Sequence, residues 1–230
     1  MGAIKLKHTS GNGTILNSPA ANPSSDITLK LPSTTGSAGQ VLSVASANHS
    51  STNAELEFAA VSAGGISMID TYALSSSQSM SGASWNYLKS NFSRIDGSYG
   101  TMNVTGLGTG LTANNAGAAT NFSFPSTGYY EITFTATVGA NTSSSHDYVY
   151  TAIFVARDGS SFDNVVQSIS FIYSSSATVY ETQVAKVIID VTNTTNDKFY
   201  LAVQPENSSL LLGSNDKFYT YLQVKKLAET

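Results

Sequence analysis

The stretch that most constrains the fold is Tyr129–Val138, in which apolar and polar side chains alternate over ten residues. Successive side chains of a β-strand point to opposite faces, so this pattern predicts a long strand with one buried and one exposed face. The face predicted to be buried carries Tyr130, Ile132, Phe134, Ala136 and Val138. The opposite face carries Tyr129, Glu131, Thr133, Thr135 and Thr137.

Other strand-like stretches accompany it at regular spacing, separated by turn clusters rich in Ser, Thr, Asn and Gly. They are Ile66–Leu74, Tyr148–Ala156, Val165–Tyr173, Thr178–Val191, Lys198–Gln204 and Lys217–Lys225. Tyr148–Ala156 is apolar on both faces, which predicts a central strand covered on each side. Many short strands between regular turns indicate an all-β sandwich or barrel.

Helical periodicity is scarce in this chain. The best candidate is Ser84–Phe92, where Trp85, Leu88 and Phe92 stand at helical spacing. We therefore predict one or two helical turns there, although aromatic residues also suit a strand.

Residues 1–60 carry only short strand-like pieces, separated by turn residues such as Pro, Gly and Ser. These pieces are Ala3–Lys7, Gly13–Leu16, Ile27–Leu31, Gln40–Val44 and Glu55–Ala59. Such small strands bury too little apolar area to be stable alone. The segment must therefore be stabilised by contacts with another copy of itself, with the C-terminal part, or with a larger assembly. We predict a hinge at Val61–Gly65, an N-terminal anchoring or intertwining segment over 1–60, and a head domain over 66–230.

Composition excludes several classes of protein. Charged residues make up 11% of the chain, the net charge is −4, and no basic stripe exists to bind nucleic acid. There is no cysteine, hence no disulfide and no thiolate metal site. No signal peptide or membrane span is apparent, which predicts a chain that is made and assembled in a cytoplasm.

The residues suited to catalysis or metal binding are few and scattered. His8, His49 and His146 are interpreted as exposed polar residues. The run Ser145–Asp147 holds the residue types of a serine triad, but adjacent side chains of an extended chain point to opposite faces and cannot converge. Gly106–Gly110 lacks the lysine of a phosphate-binding loop and is not followed by a clear helix, so it is interpreted as a hinge or loop.

No catalytic, cofactor-binding or metal-binding residue is predicted. Asp158, Asp163 and Asp190 are too dispersed for a calcium loop and suit turns and strand ends. A pair of carboxylates for glycoside hydrolysis, drawn from distant strands, stays open. The glycosylation-type sequons at Asn91, Asn103, Asn121 and Asn141 are interpreted as incidental. Outward-facing tyrosines such as Tyr219 and Tyr221 suit a subunit interface better than a ligand surface.

Two stretches resemble known families. Residues 1–42, and above all DITLKLPSTTGSAGQ at Asp26–Gln40 followed by Val41-Leu42, resemble the N-terminal module of virion structural proteins of tailed phages, especially those of marine bacteria. FSFPSTGYYEITFTATV at Phe122–Val138 resembles the strand that opens the conserved half of tumour-necrosis-factor-like and complement-head-like jelly rolls. In those folds a Gly-Tyr pair, here Gly128 with Tyr129 or Tyr130, enters an inner strand, and a final strand, here Phe218–Val224, joins the same sheet.

These resemblances imply an antiparallel jelly-roll β-sandwich that forms a homotrimer. They imply a non-enzymatic virion protein of a tailed phage, either a short surface appendage or tail-fibre-like adhesin, or alternatively a capsid decoration protein. A fibre-borne polysaccharide depolymerase is the alternative from another class. A third possibility is a soluble carbohydrate-binding module, which would need a monomeric fold with an exposed aromatic platform. The expected partners are further copies of the chain, other virion proteins and a host-surface glycan or protein. Neither a cofactor nor nucleic acid is expected.

Overall fold

The computed structural model describes residues 3–7, 13–17, 28–50, 53–60, 65–88, 91–99, 102–115, 119–140, 145–173 and 178–230. The chain divides into two compact units, Met1–Ala63 and Gly64–Thr230. Of the predicted hinge at Val61–Gly65, only Gly65 lies within the described residues.

Among its described residues, the N-terminal unit contains five strands, and these correspond to the five predicted pieces. β1 (Ala3–Lys7) and β2 (Gly13–Asn17) form an antiparallel pair. β3 (Thr28–Lys30), β4 (Gln40–His49) and β5 (Asn53–Ala60) form a second sheet in the order β3-β5-β4, in which β3 runs parallel to β5.

This second sheet leaves its apolar side chains in solvent. Leu29 is 60% exposed and Leu31 77% exposed, and Val41, Leu42 and Val44 are exposed as well. Among the side chains described in this unit, Ala45 is the only buried hydrophobic residue. The predicted shortage of buried apolar area is therefore present in the described part of the unit.

The C-terminal unit contains fifteen strands among its described residues. They are β6 (Met68–Leu74), β7 (Gln78–Met80), β8 (Asn86–Tyr87), β9 (Phe92–Arg94), β10 (Gly97–Tyr99), β11 (Met102–Val104), β12 (Thr112–Asn114), β13 (Asn121–Ser123), β14 (Gly128–Ala140), β15 (His146–Ala156), β16 (Phe162–Ile172), β17 (Val179–Val191), β18 (Lys198–Pro205), β19 (Ser209–Leu211) and β20 (Tyr221–Ala228). β10 and β11 pair only with each other.

Two sheets make up the sandwich, and every pairing in them is antiparallel. The first, called the inner sheet below, runs β9-β6-β20-β14-β17, with β19 and β7 continuing beside β14. The second, called the outer sheet, runs β12-β13-β18-β15-β16, with β8 added to β18. The chain crosses repeatedly between them, from β14 to β15, from β16 to β17 and from β17 to β18. The unit is thus an antiparallel jelly roll, as predicted.

The core lies between the two sheets and includes the predicted buried face of β14. All five residues of that face are fully buried. Across from them, Phe122 stacks on Phe199 with ring centroids 5.0 Å apart. Gly128 is the first residue of β14 and has φ +139°, and an added Cβ there would meet the backbone of Ala228 on β20. The position therefore requires glycine for steric reasons.

Three predictions about the strands are wrong. The face of β14 predicted to be exposed is buried at Thr135 and Thr137, and the Thr137 hydroxyl hydrogen-bonds there to the Tyr219 carbonyl oxygen and the Thr182 hydroxyl. Ser84–Phe92 holds no helix in its described part; it contributes β8 and the start of β9 instead, because Trp85 and Tyr87 pack on the outer sheet. Tyr148–Ala156 is a central strand between β16 and β18, but its second face is not fully covered, since Tyr148, Tyr150 and Phe154 are only half-buried.

Within the described residues, no helix has the length and apolar character that crossing a membrane would need.

Candidate interaction surfaces

The first candidate surface, called the apolar edge, is formed by β16 and β17. Each is an outermost strand, because β16 pairs only with β15 and β17 only with β14. The two strands pack against each other along the same side of the sandwich. Both carry large apolar side chains that are exposed: Val165, Ile169, Phe171 and Tyr173 on or next to β16, and Val179, Tyr180, Val184 and Ile188 on β17.

The exposure of the apolar edge is large for side chains of this kind. Phe171 is 72% exposed and Ile169 62% exposed on β16, and Ile188 is 56% exposed on β17. Single exposed hydrophobic residues are ordinary, whereas eight on two strands that pack against each other indicate an interaction surface.

A depression of about 490 Å³ lies beside this edge on the solvent side of the inner sheet. It is lined by Thr135, Thr137, Tyr180, Thr182, Leu212, Phe218, Tyr219 and Tyr221. Tyr219 and Tyr221, which the sequence analysis assigned to a subunit interface, both line this depression. The Thr137 hydroxyl donates to the Tyr219 carbonyl oxygen at 2.8 Å. This hydrogen bond holds the segment that leads into β20 against β14.

Further along the same sheet, Glu131 bridges two lysines of the neighbouring strands. Its carboxylate lies 2.7 Å from Lys186 Nζ on β17 and 3.4 Å from Lys225 Nζ on β20. The hydrogen bond from Lys186 lowers the pKa of Glu131. Charge on this face is thus paired within the chain, and the depression next to it is lined by hydroxyls and aromatic rings.

The second candidate surface, called the aromatic band, covers the solvent side of the outer sheet. It consists of Trp85, Tyr87, Tyr148, Tyr150, Phe154 and Tyr200, all half-buried. Successive ring centroids are 4.9 Å apart from Tyr148 to Tyr150, 6.3 Å from Tyr150 to Trp85, 5.2 Å from Trp85 to Phe154 and 4.8 Å from Phe154 to Tyr200. Tyr87 meets the Tyr200 ring edge-on at 5.2 Å.

Strand register explains why these rings meet. Phe154 is opposite Tyr200, and the next outward-facing pair is Ala152 with Ala202, both fully buried. Trp85 contacts Tyr150 and Phe154, which flank Ala152 on the same strand face, so the indole covers the alanine row. Sequence inspection missed this surface because its members come from three separate stretches of chain.

Asn86 holds Trp85 in place. Its amide nitrogen donates to the carbonyl oxygens of Ser81 at 2.9 Å and Ser84 at 2.8 Å, and its Oδ1 accepts from Ser81 N at 2.8 Å. Ala83, with φ +53°, donates its N–H to the Pro205 carbonyl at the end of β18. The turn that carries the indole is therefore fixed before any partner arrives.

The glycine-rich stretch Gly106–Gly110 is a loop, as interpreted from the sequence, and it packs on β6. Leu107 exchanges two backbone hydrogen bonds with Ile69. An added Cβ on Gly108 would meet the Ser67 carbonyl oxygen, and one on Gly110 would meet the Asp70 carboxylate. The glycines are required by close packing against a strand.

Of the three histidines, His146 is the one whose side chain lies within the described residues. His146 begins β15 and is 1% exposed, so its interpretation as an exposed residue is wrong: its Nδ1 accepts the Asn207 N–H at 3.1 Å. Burial lowers its pKa. Asp147 next to it is exposed, and its N–H donates to Glu206. His8 lies outside the described residues, as does the side chain of His49.

The three aspartates considered for calcium occupy separate positions. Asp158 accepts the N–H groups of Ser160 and Ser161 in a turn, and these hydrogen bonds hold its pKa well below the usual range. Asp163 lies on β16 and Asp190 on β17. No group of three potential metal ligands occurs among the described residues. Among the sequons named above, Asn91 is tied to the Ser76 carbonyl, while Asn141 lies outside the described residues.

Comparison with known proteins gives distant similarity of structure and none of sequence. No protein-family model matches the chain, and no curated protein matches it. Among solved structures, the chain is similar to Eiger TNF from S. frugiperda, with a TM-score of 0.47 and 13% identity over 72% of this chain and 95% of that one. It is also similar to murine APRIL, with a TM-score of 0.47 and 12% identity over 70% of this chain and 98% of that one.

Proposed function

We propose that the chain is a non-enzymatic, homotrimeric structural protein on the surface of a tailed-phage virion, assembled in the host cytoplasm. It would serve as a short appendage or tail-fibre-like adhesin, with capsid decoration as the alternative position. The jelly-roll head mediates assembly and faces outward, while the N-terminal unit attaches it to other virion proteins.

The observation that carries self-association is the pairing of two different surfaces on one head. The apolar edge is exposed, and the depression next to it, which shares Tyr180 with the edge, is lined by aromatic rings and threonines. An interface that joins two different patches is heterologous, and copies joined in this way close into a ring when the rotation between them allows it. Three copies make the ring that the sequence resemblance implies.

The N-terminal unit supports attachment to other chains. Its described apolar side chains, such as Leu31 and Val44, are exposed and have no core of their own to enter. Strand addition or wrapping around neighbouring chains buries such residues. The resemblance of residues 1–42 to phage virion modules is what favours a virion as the assembly.

The oligomeric state provides the first test. Sedimentation equilibrium at micromolar concentration should give a species three times the 24.1 kDa chain mass. Ile188→Lys and Phe171→Lys, each in the apolar edge, should shift it toward the monomer, because each places an ammonium group in a desolvated contact. Ile66→Lys, at an exposed residue outside both surfaces, is the matched control. A stable wild-type monomer would refute the assembly.

The virion assignment has a separate test. Antibody-labelled electron microscopy of phage particles that carry the chain should show label on the particle. Label at the tail would favour the appendage, and label over the shell would favour decoration. Absence of label from particles, or release of reducing sugar ends from host polysaccharide by the purified protein, would contradict the proposed function.

A further inference from the structure

We propose that the aromatic band binds a neutral, hydroxyl-rich glycan chain, with sugar rings packed against the exposed faces and edges of Tyr148, Tyr150, Trp85 and Phe154. The inference rests on the proposed function only in taking the band to remain open in the assembled protein. It assigns to this head a ligand class and a binding face.

The composition of the band suits a sugar better than it suits another protein copy. One face of a hexose ring presents C–H groups that pack on an aromatic ring, and its hydroxyls need hydrogen-bonding groups at the rim. The band supplies both, since half-buried rings alternate with amides. Asn164 pairs in register with Phe154, Gln167 with Ala152 and Gln204 with Tyr150. Asn164 donates to Gln167 Oε1 at 2.7 Å, which holds two of these amides together.

Charged side chains are few along the middle of the band, and Glu206 lies at its Tyr148 end, where its N–H donates to the Tyr148 carbonyl oxygen. At the described register positions beside Tyr150, Ala152, Phe154 and Ala156, only Lys198 is charged. Burial, together with the neighbouring Tyr87, raises the pKa of Tyr200 to about 12, so its phenol is neutral in any physiological medium. A partner that carries several charges would lose solvation here without finding counter-charges.

The geometry matches a chain rather than a single small molecule. The rings from Tyr148 to Tyr200 follow one another at 4.8–6.3 Å and form an extended row, in which Tyr148 stacks on Tyr150, Phe154 stacks on Tyr200, and Trp85 lies edge-on to Phe154. Ala152 and Ala202 beneath this row are fully buried, so the accessible floor there is formed by the Trp85 indole. Because Asn86 already fixes the Trp85 turn, little side-chain entropy is lost when a ligand docks.

The band also differs from the apolar edge. The exposed residues of the edge include the aliphatic side chains of Val184 and Ile188, which pack well between protein copies. The band is built from aromatic rings that contact one another and are therefore half-buried. It lies on or next to β8, β15 and β18, inward from the edge. The two surfaces adjoin where Tyr150 pairs in register with Ile169, and their different chemistry assigns them to two partners.

The binding test uses the full chain and its single tryptophan, Trp85, as the reporter. Indole emission is titrated with neutral hexasaccharides of glucose, mannose and galactose in α and β linkage, and with an acidic galacturonate hexamer, each to about 1 mM. At least one neutral chain should produce a saturable change in emission, and the acidic hexamer should not. Tyr150→Ala and Tyr148→Ala, which keep the reporter, should weaken binding about fivefold to tenfold.

Tyr129→Ala, an exposed tyrosine on the inner sheet, is the control and should bind as the wild type does. Sedimentation of every variant should give the wild-type mass, which separates failure of binding from failure of assembly. Three results would overturn the inference: no saturable response to any neutral chain, equal loss in Tyr129→Ala, or Trp85 emission that follows protein concentration. The last would assign the band to contact between copies.

Discussion

Asp70 and Arg94 form an ion pair that joins two strands of the inner sheet to the glycine-rich loop. Asp70 Oδ2 lies 2.8 Å from Arg94 Nη2 and 2.7 Å from the Leu111 N–H, and Arg94 also donates to the Leu111 carbonyl oxygen. The Asp70 side chain is 3% exposed and that of Arg94 is 41% exposed. The buried Asp70 carboxylate is thus neutralised by the partly exposed Arg94 guanidinium, and both side chains hydrogen-bond to the backbone of Leu111 at the end of the loop.

Arg94→Met should destabilise the head, because it removes the cation and leaves the buried Asp70 carboxylate with the Leu111 N–H. We expect a loss of about 1.5–3 kcal/mol, the usual range for a hydrogen bond to a charged group. Urea denaturation measures it. Adding Asp70→Asn should recover part of the loss, since the uncompensated charge disappears. Strict additivity of the two changes would contradict coupling between these side chains.

Phe134→Ala should cost about 3–5 kcal/mol, because the ring is fully buried in the core between the sheets and its removal leaves a cavity. Tyr129→Ala, on the opposite face of the same strand and exposed, is the matched control and should change stability by less than about 0.5 kcal/mol. Thermal or urea unfolding compares the two. Similar losses at both positions would mean that the two faces of β14 contribute equally to the core.

His146 should make the head less stable as the pH falls below about 6.5. Burial lowers its pKa in the folded state, the Nδ1 atom accepts the Asn207 N–H, and Glu206 opposes the shift only partly. The unfolded chain therefore binds the proton first, and the free energy of unfolding declines by at most about 1.4 kcal/mol per pH unit for this group.

The measurement is urea unfolding at a series of pH values from 8 down to about 5. His146→Gln removes the titrating group and should flatten the decline relative to the wild type. An unchanged slope in this variant would assign the acid sensitivity to other groups.

A truncated chain beginning at Ser62 should keep a folded, trimeric head and lose attachment to virions. The reason is that the described apolar residues of the N-terminal unit are exposed, while the core of the head is complete without them. Particle binding assays and sedimentation test the two parts separately. Normal occupancy by the truncated chain would place anchoring in the jelly roll, and unfolding of the head would join the two units into one cooperative domain.

The sequence by itself determined the long strands and their buried faces. In β14 the alternation of Tyr130, Ile132 and Phe134 with polar residues is a local property, and burial follows from it directly. The steric reason for Gly128, by contrast, is the backbone of Ala228 on β20, a contact that only the tertiary structure shows. The helix predicted for Ser84–Phe92 is wrong because the spacing of its aromatic residues also fits a helix. In the folded chain, pairing with β18 of the outer sheet makes part of this stretch the strand β8.

The tertiary structure alone decided which distant residues meet. Trp85, Tyr150 and Tyr200 share one surface, and Asp70 meets Arg94 and Leu111, because strand register and the crossings between sheets bring separate stretches together. His146 was expected in solvent, yet the start of β15 lies against the turn at Asn207. Alternation within a strand sets which face a side chain occupies, but the partner across the sheet depends on the pairing of whole strands, which no local pattern in the chain encodes.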